Sequence, residues 1–295
     1  MAGDKTLAFD RLPSVAPYYL RAATTLSGGL DSGQTIPRIE ARIPNLSIRA
    51  EHLARYRKVC GFARAQTLPV TYPHVLAFPL HMAVLTHPAF PLKLLGLVHM
   101  RNRIAQHRPL GVDEALDLVI SVDGHRETAK GIEFDLVTEA FAADGGPVWQ
   151  ASGTMLSRQK TGVSGGDKNK HSGPPTLDFT PDAQTAWSIP ADIGRRYAAA
   201  AGDYNPIHLS PYSAKLFGFK RAIAHGMWTK ARAATVLSDQ IGESAATIDV
   251  AFKKPVFLPA KAVFCQGPLN GDRGFALTDE SGDVHHLTGN LAVGD

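Results

Sequence analysis

The chain is short of cysteine: Cys60 and Cys265 are the only two in 295 residues, one in each half. Disulfide frameworks need several paired cysteines and cysteine-based zinc sites need them closely spaced, so both are excluded and two buried thiols acting as small hydrophobes are expected. Long apolar runs are missing too. No stretch of about 18 apolar residues occurs, which removes a membrane-spanning helix. The N-terminus, Met1-Ala2-Gly3-Asp4-Lys5, lacks a charged-then-apolar leader pattern and the C-terminus lacks a peroxisomal tripeptide, so a cytoplasmic protein is expected. Charge of one sign is equally scarce. The 31 Lys and Arg and 27 Asp and Glu leave a net +4, spread with both signs interleaved and without a nucleic-acid motif, so no nucleic-acid partner is expected.

What is present describes an ordinary globular chain, 44% hydrophobic and 20% charged, long enough for two domains with a core each. The first half reads as a helix over 14–25, then a strand over 36–43 in which Ile39, Ala41 and Ile43 alternate with Arg38, Glu40 and Arg42. A helix over 48–59 carries Leu53, Tyr56 and Val59 at helical spacing, and Pro79 suits the first turn of a helix over 79–86. Strands come next over 94–106, 114–122, 131–142 and 148–158, the last two joined by Asp144-Gly145-Gly146. Ile132, Phe134 and Leu136 alternate with Glu133 and Asp135, the pattern of a sheet with one wet face.

Residues 160–178 turn polar and glycine-rich, the composition of a linker. Beyond it the order repeats: a strand over 184–189, a helix over 191–201, a loop, an apolar helix over 227–237, and strands over 246–254, 260–267, 275–278 and 284–293.

The loop holds the chemistry. Gly202-Asp203-Tyr204-Asn205-Pro206-Ile207-His208 sets a carboxylate five residues before an imidazole, and proline drives Asn205 out of helical geometry so that the two can face one another. A carboxylate that only accepts hydrogen bonds, beside an imidazole that donates or accepts, can hold one water from two sides. Gly218-Phe219 comes next, then Ala224-His225-Gly226-Met227, where a helix start at Met227 presents unpaired amides suited to an oxygen gaining negative charge. Isolated, Asp203 would be read as a turn cap and His208 as a satisfied loop histidine; the full ordered pattern favours a site. His74, His81, His87, His99 and His107 in the first half match no zinc spacing, and no metal is expected.

This ordered signature resembles the MaoC-like, (R)-specific enoyl-CoA hydratase family, a branch of the hot-dog fold. The resemblance implies an α+β tandem, or double, hot-dog: two antiparallel sheets, each wrapped around a central helix. It implies an N-terminal domain over 1–159 without the catalytic motif and a catalytic domain over 179–295. Asp203 and His208 become the catalytic pair, Asn205 a loop-positioning residue, and the Gly226 amide a donor to the thioester oxygen. His225 and Met227 flank that donor, with His225 packing or hydrogen-bonding beside the turn. The substrate would be an acyl-CoA or acyl-carrier-protein thioester, with no cofactor, handled by a monomeric tandem or a homodimer. Lys253 and Lys254 are candidates for its phosphates or, equally, part of a solvated charged face.

The halves correspond part by part. Tyr56 and Cys60-Gly61-Phe62 stand where Tyr197 and Ala201-Gly202-Asp203 stand, with Phe62 in place of the aspartate. Val75, Leu76, Phe78, Leu80 and Met82 would line an acyl tunnel or simply pack a core. Two other functions fit the same fold: a thioesterase, recognised by thiol release from saturated acyl-CoA, and a non-catalytic acyl-binding subunit, recognised by binding without turnover.

Overall fold

The computed structural model describes residues 5–25, 28–31, 33–163 and 179–294, so most of the expected linker lies outside the described residues. In chain order the first half reads β1 (Lys5–Ala8), α1 (Ala16–Thr24), β2 (Ile39–Leu46), α2 (Ala50–Cys60), α3 (Tyr72–Leu76), α4 (Phe78–Leu85), β3 (Val98–Gln106), β4 (Leu116–Val122), β5 (Arg126–Thr128), β6 (Gly131–Phe141) and β7 (Pro147–Ser157). The second reads β8 (Ala183–Ile189), α5 (Ile193–Ala201), a 3-10 turn (Pro206–His208), α6 (Pro211–Lys215), α7 (Gly226–Val236), α8 (Ser238–Ile241), β9 (Ala246–Phe252), β10 (Ala260–Leu269), β11 (Asp272–Asp279) and β12 (His285–Val293). No helix among the described residues is long and apolar enough to cross a membrane.

The chain packs as two compact units. One takes residues 5–47, 73–100 and 113–163; the other takes 48–72, 101–112 and 179–294. The expected domain boundaries follow chain order, whereas the compact units follow contacts, and α2 packs with the second half.

In the first unit the sheet order is β1-β2-β4-β6-β7, antiparallel except for the β1–β2 pair, with β5 added to β6. Ile39, Ala41 and Ile43 are buried opposite Val122, Ile120 and Leu118, as the period-two pattern requires. α4 packs on β2 and β4. Apart from His81 it is apolar all round, the signature of a helix buried on every side, and Leu80, Met82, Val84 and Leu85 are all buried. Val75 and Leu76 are buried as well and Phe78 partly so, which core packing accounts for without a ligand.

The expected wet face differs. Glu40 is 4% exposed and held by Arg38 and Arg42, and Glu133 is also buried. Asp135 accepts two hydrogen bonds from Arg126 (2.7 and 3.1 Å) and one from Thr154 (2.6 Å). Arginine side chains roof these carboxylates, because a planar guanidinium covers and pairs at once. His81 of α4 is also buried, bonded to Thr138 Oγ1 at 2.7 Å, and burial pushes its pKa down to about 3.

The second unit's sheet runs β3 (through residues 101–106), β9, β12, β11, β10, β8, all antiparallel. Asn270 and Gly271, both at positive φ (48° and 90°), make the β10–β11 turn, the pairing expected of a two-residue hairpin loop. α7 packs on β9 and α2, and α2 also packs on α5. Side chains of α7 close the exposed carbonyls at the end of α2: Trp228 Nε1 donates to Val59 O (3.0 Å), while Arg232 and Thr235 donate to Cys60 O (3.1 and 3.0 Å).

Expected to be simply apolar, α7 carries a fully buried lysine. The Lys230 ammonium donates to Asn102 O (2.9 Å), Asn102 Oδ1 (2.6 Å) and Ile248 O (3.0 Å), one acceptor for each of its three protons. Burial lowers its pKa well below the usual value. Of the two thiols, Cys60 is buried and pushed up to about 12, but Cys265 is only half-buried, correcting the expectation for that residue.

Candidate functional site

α5 ends because Gly202 takes the left-handed conformation (φ 78°), its N–H capping Ala198 O at 2.8 Å. The chain then turns through side-chain bonds. Asp203 Oδ1 accepts from the Asn205 N–H (3.2 Å), and Asn205 Oδ1 accepts from the Ile207 N–H (3.4 Å), starting the 3-10 turn that carries His208. Asn205 is extended (ψ 124°), as a residue before proline should be. α5 admits this turn only because residue 194 is glycine: a Cβ there would lie 2.0 Å from His208 O.

His208 is 8% exposed, and its Nδ1 lies 2.8 Å from Ile223 O. A carbonyl only accepts, so Nδ1 carries the proton and Nε2 is left as an acceptor. Burial lowers the His208 pKa, opposed by Asp203 and by the Ile223 bond. The segment bearing Ile223 is fixed by Ala224 N–H to Val256 O (2.9 Å) and Leu258 N–H to Ala222 O (2.8 Å).

His225 is the N-cap of α7 and 2% exposed. Its Nε2 donates to Asp203 O (3.0 Å) and lies 3.8 Å from Asp203 Oδ2. Its ring stacks on His208 (centroids 3.6 Å, 26°) and leans on Tyr197 of α5 (4.8 Å). Burial, reinforced by neighbouring His208, holds its pKa well below the usual value, and its Nδ1 is buried without a hydrogen-bond partner. A second proton would have nothing to bond, so His225 stays neutral.

Ligand-type atoms of Asp203, His208 and His225 lie within 4.8 Å of one another. They do not fit a metal ion well. Imidazole lone pairs lie in the ring plane, so two nearly parallel stacked rings cannot both aim at a common ion. The arrangement suits a water: Asp203, 31% exposed at its side chain, and His208 Nε2 are two acceptors able to take its two protons.

The helix begins at Gly226, one residue earlier than expected, so its amide and that of Met227 belong to the first turn, which has no intrahelical partners. A Cβ at 226 would meet the Phe252 ring at 2.9 Å. The structure thus brings Asp203, Asn205, His208, His225, Gly226 and the buried Met227 into one neighbourhood. Lys253 and Lys254 are exposed just after β9, where Lys254 borders an open cleft of about 390 Å³ with Pro255, Phe257, Asp279, Val284 and His286. Gly194, Tyr197 and the Ile223 carbonyl were not expected at the site. A glycine inside a helical pattern was the one available signal, for Gly194.

Residues 172–278 match the family model for the MaoC like domain. The chain is 34% identical over 276 residues to 3-hydroxyacyl-thioester dehydratase X of Mycobacterium tuberculosis, covering 94% of this chain and 97% of that one. The crystal structure of HtdX from that organism has a TM-score of 0.73 at 32% identity, over 85% of this chain and 98% of the other. A MaoC-like dehydratase from Phytophthora capsici, 19% identical, has a TM-score of 0.74 over 90% of this chain and 98% of its own, a likeness of fold.

Proposed function

The chain belongs to the MaoC-like dehydratase family, and from that membership we propose that it interconverts trans-2-enoyl and (R)-3-hydroxyacyl thioesters by water held between Asp203 and His208. The observation that carries this is the 2.8 Å contact of His208 Nδ1 with Ile223 O: it commits Nδ1–H to a carbonyl and leaves Nε2, close to the Asp203 carboxylate, as a second acceptor able to share one water. In hydration the water oxygen bonds to the β carbon as the double-bond electrons move toward the thioester carbonyl. The acceptor that takes the water proton returns it to the α carbon, so one water is added and no charge remains. Dehydration runs the same steps backwards. The Gly226 amide, at the positive end of α7, binds the carbonyl oxygen as it becomes enolate-like, a contribution of about 3 kcal/mol per donor.

His225 and Asn205 hold the Asp203 loop in place, one through the Asp203 carbonyl and the other through its own turn. Lys253 and Lys254 take the phosphates of the substrate's carrier arm, supported by the exposure of both and by the place of Lys254 at the cleft. The proposed fold in full is a double hot-dog with each sheet wrapped around α4 or α7, its catalytic copy the second one.

Loss of enone absorbance from trans-2-enoyl-CoA tests the reading, with chiral analysis of the product. Asp203→Asn and His208→Ala should each lower turnover by roughly 10²–10⁴-fold with an unchanged circular dichroism spectrum. Activity surviving both substitutions would remove the assignment, and free thiol released from saturated acyl-CoA would point to hydrolysis.

A further inference from the structure

Of the seven exposed large hydrophobic side chains among the described residues, four fall within residues 204–217: Tyr204, Tyr212, Leu216 and Phe217. Tyr212 and Leu216 are 83% and 84% exposed and four residues apart, so α6 and its cap turn one apolar ridge to solvent while Ala214 is buried on the other side. This is amphipathicity turned inside out, and exposed apolar ground of this kind marks an interaction surface. The ridge is held rigidly beside the catalytic turn: Ser210 Oγ caps the Ser213 N–H (3.0 Å), and Ser213 Oγ donates to Pro206 O (2.7 Å).

Its charge is one-sided. Between Ile193 and Met227 there are five Lys and Arg and a single acid, Asp203 itself, although the whole chain is nearly balanced. Lys215 within residues 204–217 and Lys220 and Arg221 just after them are all exposed.

We propose that Tyr212, Leu216 and Phe217, with the exposed cations Lys215, Lys220 and Arg221 of the same stretch of chain, form the docking face for an acidic, helical acyl carrier protein that presents its thioester to Asp203 and His208. The inference rests on the hydratase reading of that site. An exposed apolar ridge on a cationic segment matches an acidic helix with an apolar stripe, the cations steering the encounter and the ridge supplying the contact. A free nucleotide carrier would satisfy the cations and leave Tyr212 and Leu216 in water. A second copy meeting this face about a two-fold axis would set the same cations against themselves.

The test pairs binding with kinetics on the full chain. Fluorescence anisotropy of a dye-labelled acyl carrier protein is titrated with wild type, Leu216→Glu and Tyr212→Ala, and kcat/KM is measured for one enoyl group carried on that protein and on CoA. Leu216→Glu should weaken carrier binding and raise KM for the carrier-bound substrate by about tenfold or more, with CoA turnover within about twofold of wild type. Tyr212→Ala should act in the same direction. Absence of saturable binding by wild type, equal losses on both substrates, or a wild-type dimer dissociated by Leu216→Glu would each overturn the proposal. Wild type that binds the carrier through this face yet turns over neither substrate would sink the activity and leave the docking face standing.

Discussion

Two helices of the second unit end in the same way and then part company. α2 stops at Gly61 (φ 84°) and α5 at Gly202 (φ 78°), each glycine N–H closing the last turn, at 2.7 and 2.8 Å. Tyr56 and Tyr197, each five residues earlier, pack against one another with ring centroids 6.3 Å apart. After the first glycine comes Phe62, which stacks back on Tyr56 (6.2 Å, 22°); after the second comes Asp203, which turns toward two imidazoles. Eight residues before each glycine the helices differ again: Leu53 is a buried core residue in α2, while Gly194 opens α5 to the backbone of His208. One helix-and-cap frame therefore serves packing or catalysis according to two things: whether the helix leaves room for the returning loop, and which side chain stands just past the cap.

Making the second segment resemble the first should have the largest effect. Asp203→Phe is expected to abolish detectable hydration, a loss of roughly 10³-fold or more, whereas Phe62→Asp should create no activity because no imidazole stands five residues beyond it. Initial rates on an enoyl-CoA measure both.

Gly194→Ala comes next. The added methyl meets a backbone carbonyl, which cannot rotate away, so His208 must move; kcat should fall roughly 10²-fold, as expected for a displacement of about 1 Å at the reacting groups. For Gly226→Ala the nearest atoms belong to the Phe252 ring, a side chain and not backbone, so the effect should be milder.

Smaller still is the pair Gly61→Ala and Gly202→Ala. Each forces a side chain into the left-handed region at a cost of about 1–2 kcal/mol, read by urea unfolding. Only Gly202→Ala should also lower kcat; Gly61→Ala instead crowds Arg232, which caps Cys60 O.

The mildest effect near neutrality is the pH dependence of stability. His81, His208 and His225 all have folded pKa values below 6.5, so below that pH the unfolded chain binds more protons than the native one. Stability is therefore full above about pH 6.5 and falls as pH drops, for His81 until about pH 3. Urea midpoints at pH 7.5, 6.5 and 5.5 check the sign.

How much of the fold and site could be read from residues alone depends on range. Asp203 to His208 is a local turn whose bonds run between near neighbours, so its order was legible, as were Pro79 in the first turn of α4 and the Asp144-Gly145-Gly146 hairpin. Gly194 was not, because its reason is a carbonyl fourteen residues away. Lys230 looked like an ordinary helix residue until Asn102 and Ile248 supplied its acceptors. Glu133 read as a wet-face residue because alternation cannot foresee the arginine beside it, and the same alternation gave no sign that Glu40 would be buried under Arg38 and Arg42. The Asn270-Gly271 turn carried its signal in plain view and lengthens β11 beyond the strand expected over 275–278.

The central claim is that Asp203 and His208 act as a single unit on one water. Turnover of trans-2-enoyl-CoA by Asp203→Asn, His208→Gln and the double variant tests it most directly. The account predicts that the double variant is no slower than the slower single one, because either change already releases the water. Losses that multiply in the double variant would show the two side chains serving separate steps and would contradict it.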